Sequence, residues 1–337
     1  MGRRDEPGQC VRPPRGGAWC GVLAALAVGL VGCGSSGHGA DAAVDVVEPP
    51  RWWQPKLGEA KNWDIQLSGA IDVSTPRVMY DLDLWSVVPS ATMLDYGDGS
   101  PVVVPQGTRA GVIAQLHART PPAIVICHIE TGALEMGRPD AAKFPAAAIG
   151  GDVPVPPGFP PAKFLDVRQA SRMNWAQLMW KRFDLAKQIG CDGIESAHND
   201  VASFSSGFDI PTEDSYSWYD EVAKQGHDRE LSTGMKNGDL LSGQIDRGAA
   251  SFDWLMIERC GEHDRLGAGG CDVVRPFTDA NKAVLAIDYN VTEPDDNGMT
   301  HPQTSDAVCM FQVTARIQDG LYKDVSLTKA VRTQCNP

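Results

Sequence analysis

From Trp52 onward the chain alternates short, almost wholly apolar runs with longer amphipathic or polar stretches. Eight runs stand out, at residues 63–68, 78–83, 123–129, 163–167, 193–196, 231–235, 254–258 and 284–289. Most are continuous rather than alternating, as in parallel strands covered on both faces by helices. The intervening stretches supply the crossovers that parallel strands require. Residues 174–189 place Trp175, Leu178, Met179, Phe183, Ala186 and Ile189 at helical spacing and stop at Gly190. Thr212 stands where it can cap a second helix carrying Tyr216, Tyr219, Val222 and Ala223, and residues 304–317 predict a last one. These aromatic and Met positions predict core.

Eight strand candidates separated by helices suit α/β architecture, a single (β/α)8 TIM barrel over residues 51–337. A doubly wound open sheet is the alternative, but its glycine-rich phosphate fingerprint is missing after the first strand. Residues 84–107 and 150–161 read as rim loops.

The N-terminus changes the picture. Arg3, Arg4, Arg12 and Arg15 precede an apolar stretch, residues 19–31, that is too short to span a bilayer and ends at Gly32-Cys33. This resembles a bacterial lipoprotein signal over residues 1–32, with lipidation of Cys33 and a small, polar tether at 33–50. An ordinary signal peptide with an incidental cysteine is the plainer alternative. Gly34 after the cysteine implies, by the same resemblance, the outer membrane. Six further cysteines, Cys127, Cys191, Cys260, Cys271, Cys309 and Cys335, permit disulfides in an exported chain. Cys260 and Cys271 bracket a Gly-rich loop, Cys309 and Cys335 are placed to tie down the C-terminus, and Cys127 and Cys191 read as buried thiols.

The formal charge is −13, and residues 1–32 carry four Arg against one Asp and one Glu, so the remainder carries −15. Such acidity repels phosphate backbones and makes nucleic acid an unsuitable partner, while a cationic or neutral ligand suits it. Solubility alone is an equally good account of the acidity.

In a barrel the C-terminal strand ends share one mouth. Read off the chain, these ends carry Asp81 and Asp83, His128 and Glu130, Asp166 and Arg168, Glu195 through Asp200, Lys236 and Asn237, Glu258, and Asp288 and Tyr289. Charge buried without a partner is costly, so this density points to a ligand-binding mouth more than to a structural ion network. Facing carboxylates are the equipment of glycoside hydrolysis. Zinc-peptidase, Walker and nucleophile-elbow motifs are absent, and the seven histidines show no ligand spacing, so neither a metal nor a cofactor is expected. His128 and His198 read as hydrogen-bonded rim residues.

Several ordered segments resemble glycoside hydrolase family 114, the endo-α-1,4-polygalactosaminidase-like barrels. They are Asp83-Leu84-Trp85; residues 126–132 with Glu135, Arg138, Pro139 and Asp140; residues 165–168; residues 234–237; residues 257–260; and residues 282–289. The resemblance implies a (β/α)8 fold and cleavage of α-1,4-linked galactosamine polymer, with the polymer as partner. It implies Glu258 as one catalytic carboxylate and puts Ala197 where the family carries the second, with Asp200 on a later aspartate of that motif. His128, Glu130 and Asp288 also depart from the family pattern. Glu258 with Asp200 or Glu195 is the expected catalytic set; Asp166 is a further candidate for the second carboxylate. Asp83, His128, Glu130, Asp166, Lys236, Asn237, Asp288 and Tyr289 are the expected substrate contacts. A relative that has lost catalysis and binds amino-sugar polymer is the alternative function; a barrel with unrelated chemistry is a third.

Overall fold

The computed structural model describes residues 51–336, apart from residues 157, 268, 269 and 296. The expected signal, Cys33 and the whole expected tether, residues 33–50, lie outside the described residues. A nine-stranded sheet forms the centre. Its strands are β1 (Asp64–Ile65), β2 (Met79–Asp83), β3 (Ile124–Glu130), β4 (Gly193–Ala197), β5 (Ser232–Lys236), β6 (Trp254–Glu258), β7 (Val284–Tyr289), β8 (Leu321–Lys323) and β9 (Arg332–Gln334). Each pairs with its neighbour in sequence, β1 through β8 in parallel and β9 antiparallel to β8. The first strand and β8, the last parallel one, come together through side chains and loops: Lys323 Nζ reaches Asp64 Oδ1 at 2.8 Å, and Ser68 N donates to Leu327 O at 3.3 Å. The fold is therefore mixed α/β with a curled, mostly parallel sheet.

The helices are α1 (Val112–His117), α2 (Ala176–Ile189), α3 (Thr212–His227), α4 (Gln244–Ser251), α5 (Cys260–Leu266) and α6 (Ser305–Thr314), with shorter turns between. Helix α2 ends where expected, on Gly190 at φ 95°. Helix α3 is capped by Pro211, and Thr212 is already its first helical residue.

Side chains alternate across each strand, and the two faces fill two separate cores. Tyr80, Leu82, Val125, Cys127, Ile194, Leu255, Ile257, Val284 and Ala286 join the layer under the helices. Met79, Ile126, Trp254, Met256, Leu285 and Ile287 fill the other, inner face. Gly234 is needed there: a Cβ would lie 2.2 Å from the Trp254 ring. This parity carries Asp81, Asp83, His128, Glu130, Glu195, Ala197, Lys236, Glu258 and Tyr289 to the inner face.

Two further expectations are corrected. The run at 163–167 is a strand, Ala162–Leu165, but it pairs antiparallel with Ala133–Glu135 and Ile149–Asp152 in a separate three-stranded sheet. The eighth parallel strand is instead β8, after β7, whose three residues are too few to show as an apolar run. Cys127 and Cys191 are not thiols: they form a disulfide, as do Cys260 with Cys271 and Cys309 with Cys335.

Candidate active site

Glu258 ends β6 in a nest of donors. Tyr289 from β7 donates its hydroxyl to Oε1, Asn237 Nδ2 donates to Oε2 at 3.2 Å, and Lys236 Nζ stands 3.4 Å from Oε2. Burial alone would raise its proton affinity, but Lys236, Tyr289, Asn237 and Arg259 outweigh it and hold the carboxyl at about 2. Glu258 is thus ionised at any ordinary pH. Its backbone N–H donates to Asn237 Oδ1 at 2.9 Å, and Arg259 lies 4.7 Å over the Tyr289 ring, so both neighbours are locked.

Asp200, in the turn after β4, has the opposite environment. It is 5% exposed, and no other side chain donates to its carboxyl among the described residues. Burial pushes it up to about 6, His198 pulls it down in part, and the charges of Asp239 and Glu258 add to the rise. Burial of Asp200 and the donors around Glu258 set the two carboxyls apart, one ionised and one holding a proton in mild acid, which is the division that acid/base catalysis needs.

A charged chain runs behind this pair. Glu195 is fully buried and meets His128 Nδ1 on one side and Lys236 Nζ, at 3.7 Å, on the other. His128 Nε2 lies 3.3 Å from Glu130 Oε1, and His198 Nδ1 lies 2.5 Å from Glu130 Oε2. Burial opposes charge on both histidines, yet the carboxylates outweigh it and raise both; Glu130 is in turn held low by the two rings. Asp81 lies beside this chain, raised by burial and by Glu195, and neither of its oxygens finds a hydrogen-bond partner among the described residues. Asp81, His128 and Glu195 bring ligand-type atoms within 4.8 Å of one another. His128 and Lys236 pair with Glu195 there, while Asp81 stands without a partner among the described residues.

The remaining expected residues divide. Lys236, Asn237, Tyr289, His128 and Glu130 join Glu258 and Asp200. Glu195 supports His128 and Lys236 from the interior, shut off from solvent. Asp83 accepts from Ser86 N at 2.9 Å and is clamped by Arg138 at 2.6 Å, which fixes the loop after β2. Asp166 is tied to Arg168 at 2.7 Å and follows the separate sheet, outside the parallel strands. Asp288 lies on the outer face, where it accepts from Gly261 N, Glu262 N and Gln312 Nε2 and caps α5; it is a helix anchor, not a mouth residue.

Asp239 escaped the sequence reading. It follows Asn237-Gly238, is raised by burial, and shares the fields of Glu258 and Asp200. A second feature was also hidden. The first residues after β4, β5 and β6, namely His198, Asn237 and Arg259, all adopt left-handed backbone, with φ of 51°, 50° and 60°. Non-glycine residues rarely do so, and three adjacent strand ends in this state mark the functional edge.

The model of glycoside-hydrolase family GH114 matches residues 43–336, and the chain belongs to that family. Among solved structures it is similar to Ega3 of Aspergillus fumigatus, crystallised in complex with galactosamine. The match has 26% identity and a TM-score of 0.64, and covers 84% of this chain and 97% of that one. It shares its fold with the glycoside hydrolase domain of PelA from Pseudomonas aeruginosa, at 10% identity and a TM-score of 0.52, covering 81% and 98%. No curated protein sequence matches the chain.

Proposed function

We propose that the protein is a glycoside hydrolase of galactosamine-containing polysaccharide, built on a (β/α)8 barrel whose eight parallel strands are β1 to β8. The observation that carries this is the split pair: Glu258 held at about 2 and Asp200 pushed up to about 6. Asp200 donates a proton to the glycosidic oxygen, while Glu258 attacks the sugar carbon or activates water against it. The galactosamine bound by the 26%-identical relative supports the sugar, and a cationic amine suits a chain of net charge −13. Purified protein incubated with de-N-acetylated α-1,4-galactosamine polymer should release reducing ends, and Glu258→Gln should release at least ~100-fold fewer.

Ala197, fully buried at the end of β4, favours a second reading in which the site binds polymer without cutting it. Thermal stabilisation by polymer with no reducing ends would establish that reading. We further propose export and lipid anchoring through Cys33; Cys33→Ser should move the protein from the membrane to the soluble fraction, and continued membrane association would overturn the anchor.

A further inference from the structure

Ala197 and Glu130 are partners across the parallel β3–β4 ladder, side by side on the inner face. Where Ala197 offers only a methyl group, the neighbouring strand end offers a carboxylate, and that carboxylate holds a histidine: His198 Nδ1 sits 2.5 Å from Glu130 Oε2. The imidazole Nε2 has no partner among the described residues, and the side chain is 27% exposed. A carboxylate on Nδ1 with Nε2 unpartnered in a part-exposed ring fixes the tautomer and leaves the other nitrogen free to exchange a proton.

The backbone of His198 is held as firmly as its ring. It is left-handed at φ 51°. The preceding carbonyl, of Ala197, accepts from Thr131 N at 3.0 Å and from Gly132 N at 3.2 Å. Gly132 has no alternative, because a Cβ there would lie 1.7 Å from His198 O. Asn199 Nδ2 bonds Ser196 Oγ at 3.1 Å, its Oδ1 meets the Thr131 hydroxyl, and Phe164 sets its ring edge-on to the imidazole at 6.4 Å. Strain held by so many contacts, with one ring nitrogen left open, is the structure of a working group.

We propose that His198, positioned by Glu130, is a second proton-transfer group of this site. The proposal rests on the glycosidase reading. In the first step the proton leaves Nε2 for the glycosidic oxygen as the bond from the anomeric carbon to that oxygen breaks and its electron pair stays on the oxygen. Glu258, or water activated by it, takes the carbon. The neutral imidazole then recovers a proton as water completes hydrolysis. The charged groups around His198 are Glu130 from β3, Asp200 from its own turn and Lys236 from β5. Burial lowers its proton affinity, the two carboxylates raise it by more, and Lys236 subtracts from the rise. Asp200 gives up its own proton at about 6, so His198 serves the neutral range, where Asp200 no longer does.

The test is the pH profile of reducing-end release from de-N-acetylated α-1,4-galactosamine polymer by the full-length protein and by His198→Gln, Glu130→Gln and Asp200→Asn, each first shown to melt cooperatively. His198→Gln keeps a hydrogen bond to Glu130 but carries no transferable proton. It is expected to lose on the order of 10²–10⁴-fold in kcat/KM at pH 7.5 and much less at pH 5. Glu130→Gln is expected to move the alkaline limb to lower pH, and Asp200→Asn to lose the acid side and keep the alkaline one. A His198→Gln profile that superimposes on the wild type, or that falls by one factor at every pH, overturns the proposal. Failure of the wild type to cut the polymer overturns the glycosidase reading and the proton-transfer role together, whereas hydrolysis with an unmoved His198→Gln profile overturns the role alone.

Discussion

The ammonium of Lys236 is shared between two carboxylates with different duties, lying 3.4 Å from Glu258 Oε2 and 3.7 Å from Glu195 Oε1. Burial would strip a proton from this lysine, yet Glu195, Glu258, Glu130 and Asp81 together hold it more tightly than usual. One cation therefore joins the interior network to the mouth. Its substitution by Met should do two separable things. Glu258, now at about 2, should rise toward the ordinary carboxylate range, so the acid limb of hydrolysis should move up in pH. A depressed carboxyl adds stability above its unfolded pKa and loses it as pH falls through the folded value, so this contribution should shrink across mild and strong acid. Glu195, left buried with His128 as its remaining cationic partner, should cost stability, at most about 3–5 kcal/mol at pH 7, read from urea unfolding. An unmoved acid limb would mean that Tyr289 and Asn237 hold Glu258 unaided.

Asp200 carries the opposite sign. Its folded pKa of about 6 exceeds the reference value of 3.8, so the folded state binds the proton more tightly. That stability is present below the unfolded pKa and disappears as pH rises through 6. The cost above it is at most about 3 kcal/mol, from roughly two units at 1.4 kcal/mol each. Asp200→Asn should therefore melt higher than the wild type at pH 8 and about equally at pH 4, while losing activity on the acid side. A variant that melts lower at pH 8 would show that the charged carboxylate is stabilised by the mouth.

Asp288 and Tyr289 are sequence neighbours on opposite faces of β7, and their variants should part accordingly. Tyr289→Phe removes the hydroxyl bonded to Glu258. A bond to a charged group is worth about 1.5–3 kcal/mol, so hydrolysis should fall by roughly 10–100-fold with the acid limb raised and the melting temperature little changed. Asp288→Ala strips the acceptors of Gly261 N and Glu262 N, which should cost about 1–2 kcal/mol of stability. Its pH profile should keep its shape. An altered acid limb in Asp288→Ala would place that carboxylate in the mouth after all.

That pair also marks the boundary of what the chain discloses. Apolar runs announced β2 to β7 almost to the residue, because strands buried on both faces need them. Sequence could not say which of two adjacent polar residues at a strand end turns inward: parity is set by the register of the whole strand against its neighbours. Nor could it assign residues 163–167 to their own sheet, since a strand's pattern does not name its partner, or see β8, whose three residues bring a single apolar core side chain, Leu321, and are otherwise held by pairing. Glu258 was legible because it ends a long apolar run. The Glu130–His198 contact was not, because 68 positions separate the two residues and only the β3–β4 register brings them together.

The same register supplies the last expectation. An aspartate at position 197 would stand beside Glu130 on neighbouring strands about 4.8 Å apart, two carboxylates side by side at a site where Ala197 is fully buried. Like charges so placed repel, and an added buried charge that wins no new donor costs about 1–3 kcal/mol. Ala197→Asp alone should therefore be destabilised in urea at pH 7. Glu130→Ser alone should also be destabilised, because the His128 and His198 rings lose the anion between them. In the double variant the new carboxylate meets those two rings in place of Glu130. The combined loss should then fall short of the sum of the single losses by at least about 1 kcal/mol, within the range measured for residues that share partners. Strict additivity in this cycle would mean that the two positions answer to different partners and that Glu130 does not occupy the place beside Ala197 in any energetic sense.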